Sequence, residues 1–190
     1  NGTDISFGDP AVFNSASTSI PAATFDPDNG KVVIVYTDGT YEDVTRSTDY
    51  GTAIVGTVNG TDISFGDPVV FEFAGSYHTS VAYVGSSKVV ISYSDDGNSF
   101  YGTSIVGTVN GTDISFGIPV VYGSAQITYP SVAYDSTNDR VVIAYKDDGN
   151  SGYGIVRVGI VNGTDITFGN SVVFYVGTGS YYNSATYDPD

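Results

Sequence analysis

"VNGTDISFG" occupies Val58–Gly66, returns at Val109–Gly117 and recurs as "VNGTDITFG" at Val161–Gly169, while the chain opens on "NGTDISFG". The Asn-Gly pair always stands between two β-branched runs, such as "AIVGTV" before it and "DISF" after it. Asn-Gly is a strong short-range hairpin signal, because a type I′ turn needs positive φ at both central residues. The stretch therefore predicts an antiparallel hairpin, written once per repeat.

The repeated Asn59, Asn110 and Asn162 lie 51 and 52 residues apart, and the first unit is longer because of an insertion around "TYEDVTRSTDY", Thr40–Tyr50. Other blocks keep the same phase. "KVVIVYTDG", "KVVISYSDDGNS" and "RVVIAYKDDGNS" form one series; "YGTAIVGTV", "YGTSIVGTV" and "YGIVRVGIV" form a second. "TDISFGDPVVF", "TDISFGIPVVY" and "TDITFGNSVVF" form a third, and "AATFDPD", "SVAYVG", "SVAYDST" and "SATYDPD" a fourth. Each is a short β-branched or aromatic run closed by Gly, Asp, Asn or Pro, which is the strand-and-turn signature. No helical periodicity interrupts them.

Four strands in such a period match a propeller blade, whose repeats run roughly 40 to 50 residues. In chain order the strands are A ("SVAY"), B ("VVIAY"), C ("IVGTV") and D ("ISFG" to "VVF"). Strand B is apolar at nearly every position, as a strand covered on both faces requires. The expectation is an all-β, propeller-like array in one repeat domain over 1–190. Blades are expected at 18–73, 74–124 and 125–175, with a partial blade of strand D at 1–13 and one of strand A at 176–190. A β-solenoid with shorter rungs, or a stack of sandwich modules with a longer period, is the alternative. The incomplete ends predict a processed chain, a fragment of a larger propeller, or edges covered by another copy. Open edges at both ends would favour head-to-tail assembly.

The block "YGTAIVGTVNGTDISFG" (Tyr50–Gly66) and the "RVVIAY" strand followed by "DDGNSGYG" (Asp147–Gly154) resemble tandem repeats of large marine bacterial and phage structural proteins. That resemblance covers the whole chain and implies a β-propeller-like surface or tail-fibre protein, extracellular or on a cell or virion surface, with no catalytic residues to carry over. "SDDGNSFYG" (Ser94–Gly102) and "KDDGNSGYG" (Lys146–Gly154) also resemble the Asp-box hairpin of sialidase-like propellers. They depart from its Ser-x-Asp-x-Gly-x-Thr-Trp spacing and lack the Trp, and the box is a folding element.

Composition narrows the classes. The 190 residues are 41% apolar, contain no Met, Cys or Trp, and carry a formal charge of −15. So acidic a chain is a poor partner for nucleic acid or anionic membranes, which are bound through Lys and Arg. No apolar run approaches the roughly 18 to 20 residues of a membrane-spanning helix. Nearly all the acid is Asp in turn-like places, with only Glu42 and Glu72 besides, so turn chemistry accounts for it better than halophilic adaptation.

Four constellations invite a functional reading. Asn1, Asn59, Asn110 and Asn162 each satisfy Asn-x-Thr, the glycan acceptor pattern. Asp26, Asp28 and Asn29, then Asp95, Asp96 and Asn98, then Asp147, Asp148 and Asn150, cluster oxygen donors of the kind Ca²⁺ prefers, without completing an EF-hand. Zinc is disfavoured, since His78 is the single His and Cys is absent. Catalysis finds little support: His78 has no counterpart in the other repeats, Arg46, Arg140 and Arg157 fall at unmatched positions, and so many Asp residues make some carboxylate pair inevitable. Finally, Tyr36, Tyr93 and Tyr145 end strand B, and Tyr50, Tyr101 and Tyr153 begin strand C. Rings at such repeat-equivalent sites either stack on sugars, gaining avidity by repetition, or fill space between blades. The residues point to a non-enzymatic, self-assembling structural or adhesive repeat protein, with a multivalent glycan-binding module as the alternative and a glycosidase as a distant third.

Overall fold

The computed structural model describes residues 7–39, 49–177, 179 and 181–188. The first six residues, with Asn1, and the insertion at 40–48, with Arg46, lie outside the described residues. Three successive meanders follow the repeats. Unit 1 comprises β1 (Ser17–Asp26), β2 (Lys31–Gly39), β3 (Asp49–Asn59), β4 (Asp62–Phe65) and β5 (Val69–Glu72). Unit 2 comprises β6 (Ser76–Tyr83), β7 (Lys88–Asp95), β8 (Tyr101–Asn110), β9 (Asp113–Phe116) and the first part of β10 (Val120–Asp135). Unit 3 takes the rest of β10, then β11 (Arg140–Asp147), β12 (Tyr153–Asn162), β13 (Asp165–Phe168) and β14 (Val172–Tyr175).

All pairings are antiparallel, in a five-stranded sheet ordered β1-β2-β3-β4 and a nine-stranded sheet ordered β13-β12-β11-β10-β8-β7-β6. β5, β9 and β14 are side branches on β3, β8 and β12. Neither sheet closes into a barrel or ring among the described residues. Two details depart from the sequence reading. Strand D is two short strands on one C strand, broken at Gly66-Asp67-Pro68, Gly117-Ile118-Pro119 and Gly169-Asn170-Ser171. Pro68 and Pro119 have no N–H for the ladder, but unit 3 breaks at the same place without proline. The end of unit 2 and the start of unit 3 also merge into the single strand β10, whose register shifts at Val121/Gly123 and Gly123/Gln126.

The terminal strands expected at 1–13 and 176–190 fall partly outside the described residues. Residues 7–16 and the described residues after Tyr175 form no strand. Each would be a lone strand of its unit, with no C strand or B strand beside it to supply a ladder.

The hairpin stands, but its turn is a different one. Asn59 pairs with Asp62, Asn110 with Asp113 and Asn162 with Asp165, so the central residues are Gly-Thr rather than Asn-Gly. Gly60, Gly111 and Gly163 have φ of +64°, +63° and +64°, whereas neither the Asn nor the Thr is left-handed. Positive φ at the first central residue alone is the II′ pattern. β-branched Thr resists left-handed backbone, so the glycine supplies it by itself. Gly111→Ala meets open space but a strained φ. It is expected to cost about 1–2 kcal/mol, read as a lower urea midpoint at unchanged slope.

Alternation explains the apolar B strands. In β7, Val89, Ile91 and Tyr93 join Val33, Val35, Val55 and Phe71 of unit 1 in one core cluster. Val90, between them, joins Val141, Ile143 and Tyr145 of unit 3 in a second cluster. Successive side chains of a strand point to opposite faces, and in unit 2 both faces are covered.

Candidate functional site

The first candidate is the contact between units, because it repeats. Phe13 meets Tyr36 at 5.1 Å and Phe65 at 6.0 Å between ring centroids. Phe71 meets Tyr93 at 5.4 Å and Phe116 at 5.7 Å, and Tyr122 meets Tyr145 at 5.1 Å and Phe168 at 5.5 Å. Each triad joins the ring ending one unit to the B-strand Tyr and D-strand Phe of the next. Edge-on and tilted rings at these distances are the favoured aromatic geometry. Within unit 2, the Tyr122 and Ser92 hydroxyls share a buried hydrogen bond of 2.8 Å.

This settles part of the tyrosine question. Tyr36, Tyr93 and Tyr145 are 1%, 0% and 2% exposed, so they fill space between units and are not free to stack on a sugar. Burial pushes the Tyr36 hydroxyl up to about 12, with Asp38 adding to the shift. Tyr50 sits at the surface, edge-on to Phe73 at 5.8 Å, and Tyr101 and Tyr153 are half-buried.

A second repeated contact runs along the A strands. Ser80 Oγ accepts the Val132 N–H at 3.1 Å, and Ser131 Oγ accepts the Ala185 N–H at 2.9 Å. Thr24 Oγ1 accepts the Tyr83 N–H at 3.2 Å, two residues further along. Residues 181–188 thus lie beside β10 without laddering to it.

The A strands carry a feature the sequence reading missed. Ile20, His78, Tyr129 and Tyr182 all have left-handed backbone, with φ of +50, +54, +52 and +54. In β1, β6 and β10 the ladder shifts register at that point, the mark of a β-bulge. The Ile20 carbonyl accepts the Thr79 hydroxyl at 2.7 Å, and the Tyr129 carbonyl accepts the Asn183 amide at 3.3 Å. His78 therefore does have counterparts, contrary to the sequence reading. Its ring lies 4.6 Å from that of Tyr129, which lies 4.7 Å from Tyr182. Burial holds the imidazole below its ordinary pKa, against an opposing pull from Asp148. The signal was present in "SIPAA", "YHTSV", "TYPSV" and "YYNSA", which align only if the bulge, not the strand end, sets the phase.

The carboxylates are distributed, not gathered. Asp26 accepts the Asp28 N–H at 2.9 Å and the Asn29 side-chain amide at 2.8 Å. Asp135 makes the same turn with Thr137 and Asn138. Asp28 accepts the Tyr83 hydroxyl and the Ser87 N–H, which hold its carboxyl below the ordinary range. Asp148 is paired to Lys146 and accepts the Thr128 hydroxyl. Asp95 accepts Thr103, whereas Asp96 and Asp148 open short 3₁₀ turns ending at Asn98 and Asn150. Among the described residues no three of these acids come together as a metal-holding group. Turn chemistry accounts for them. Asn59, Asn110 and Asn162 are exposed at their hairpins, and Arg157 faces Tyr145.

One acidic contact is energetically informative. Tyr93 hydroxyl donates to Glu72 at 3.0 Å, and Asp95 lies near enough to repel it. Burial first, then this repulsion, pushes the Glu72 carboxyl above its ordinary range; burial does the same to Asp95. A carboxyl whose folded pKa is raised adds stability below its unfolded pKa and loses it as pH rises through the folded value. Glu72→Gln keeps an acceptor for Tyr93. It is expected to raise Tm by a few degrees at pH 7.5 and by nothing at pH 4.

No family model matches this chain, and no curated protein does.

Proposed function

We propose that the chain is a non-enzymatic structural or adhesive repeat protein of an extracellular or cell- or virion-surface assembly. In this reading its units are blades of a propeller-like array, like the marine bacterial and phage repeats its motifs resemble, and copies join head to tail. One observation carries it. Phe174 is 53% exposed, whereas its counterparts Phe71 and Tyr122 are 7% and 1% exposed because the next unit covers them. Val158, at 46%, stands in the same contrast to Val55 and Val106, both at 0%. An apolar face whose equivalents are all covered by the same kind of unit fits another such unit best. The receiving side is unit 1 of a second copy, where Phe13 now occupies the seat between Tyr36 and Phe65 that Phe174 would take.

Sedimentation equilibrium tests this. Association is expected to rise with concentration, to disappear in Phe174→Asp, and to strengthen in Phe13→Ala, which vacates the seat. A wild type that stays monomeric, or a Phe174→Asp variant that associates equally well, overturns the proposal.

A further inference from the structure

The chain copies its B, C and D strands closely from unit to unit but changes residues at the bulge end. Ser19, Tyr77, Thr128 and Tyr181 are equivalent, as are Phe100 and Gly152, Ser94 and Lys146, and Gly75 and Gln126. A scaffold held constant while one rim varies is the arrangement by which repeat proteins present binding surfaces. Between units 2 and 3 that rim opens into a cleft of about 160 Å³ lined by Tyr77, His78, Ser94, Phe100, Gln126 and Thr128.

The lining dictates the ligand. The rings of Tyr77 and Phe100 lie side by side, 6.0 Å apart and tilted by 41°. Together they give the cleft an apolar wall. The remaining groups are hydroxyl, amide and imidazole. No carboxylate, Lys or Arg is among the lining residues, and Asp148, which accepts the Thr128 hydroxyl, is already paired with Lys146. With the imidazole pKa held down by burial, His78 is a neutral donor and acceptor at pH 7. At the floor, the buried Ser94 hydroxyl donates to the Phe100 carbonyl at 3.2 Å, which leaves its own lone pairs to accept. The backbone here is set by positive φ at His78, Ser99 and Phe100, so the wall is fixed by strain in two segments. An apolar wall with a rim of uncharged hydrogen-bonding groups matches a molecule with one C–H face and a ring of hydroxyls.

We propose that this cleft binds a neutral saccharide, its apolar face on the Tyr77 and Phe100 rings and its hydroxyls bonded by Gln126, Thr128, His78 and Ser94. The site is distinct from the inter-unit tyrosines, and it stands whether or not copies assemble.

The test is saturation-transfer NMR with the methyl glycosides of glucose, galactose, mannose and N-acetylglucosamine, followed by titration. At least one is expected to bind saturably. Phe100→Gly and Tyr77→Thr install the residues unit 3 carries, and each is expected to weaken that binding by about tenfold or more, the loss of an aromatic stacking contact. Gln126→Gly, at an exposed position, installs the unit 2 residue and serves if either ring variant lowers Tm; it too should weaken binding, while Tyr153→Phe should not. Binding of none of the four glycosides overturns the proposal. So does a glycoside whose binding ignores all three substitutions, or a cleft that takes tetramethylammonium instead.

Discussion

Replacing Tyr122 by alanine is expected to cost about 3–5 kcal/mol, the range for removing a buried aromatic side chain. The ring is fully buried between Ser92, Tyr145 and Phe168, so its loss leaves a cavity at the junction of units 2 and 3. Subtler substitutions say more about why it is Tyr. Unit 1 has Val35 and Phe71 at the equivalent places, and unit 2 has Ser92 and Tyr122. A hydroxyl on one side is matched by a hydroxyl on the other. Tyr122→Phe alone strands the Ser92 hydroxyl, and Ser92→Val alone strands the Tyr122 hydroxyl, each at about 1–3 kcal/mol. The double variant copies the pair of unit 1 and is expected to be nearly neutral, since both polar partners leave together. Urea denaturation of the four proteins measures the coupling. Additive losses would mean that this hydrogen bond within unit 2 contributes no coupling.

Gly117→Ala is expected to destabilise the protein by about 1–3 kcal/mol, the usual cost of overpacking, whereas Gly169→Ala is expected to change little. A Cβ on Gly117 would overlap the Thr164 carbonyl, just as one on Gly66 would overlap Thr112 and one on Gly8 would overlap Thr61. The threonine in each case belongs to the Asn-Gly-Thr turn of the next unit. A Cβ on Gly169 instead meets only the Val158 carbonyl, at an ordinary 3.7 Å. The difference is the presence of a following unit. The repeated sentence "NGTDISFG" therefore carries two fittings: its first glycine makes the turn, and its last lets the preceding unit approach a threonine backbone. Equal Tm losses in the two variants would break this argument.

Much of the fold was legible because it depends on periods the chain repeats. The B strands read as doubly covered, and Val89 and Val90 do face different units. The hairpins read correctly from Asn-Gly, yet the turn type did not, because propensity names the residues and only the pairing of Asn59 with Asp62 fixes the register. Tyr36, Tyr93 and Tyr145 could be assigned either to core or to surface from spacing alone; which face of strand B they take is decided by the neighbouring unit. His78 looked solitary because its counterparts are Ile20, Tyr129 and Tyr182, residues alike in backbone conformation and unlike in chemistry. The cleft beside it was hidden for the same reason. A bulge moves side chains between faces, and residue identity does not reveal backbone conformation.

Electron microscopy of the purified protein across a concentration series decides whether copies join end to end. Head-to-tail multimers are expected in which the unit spacing continues across the junction, with Phe174 of one copy seated against Tyr36 and Phe65 of the next. Separate particles at every concentration, or copies joined through any other surface, would contradict it.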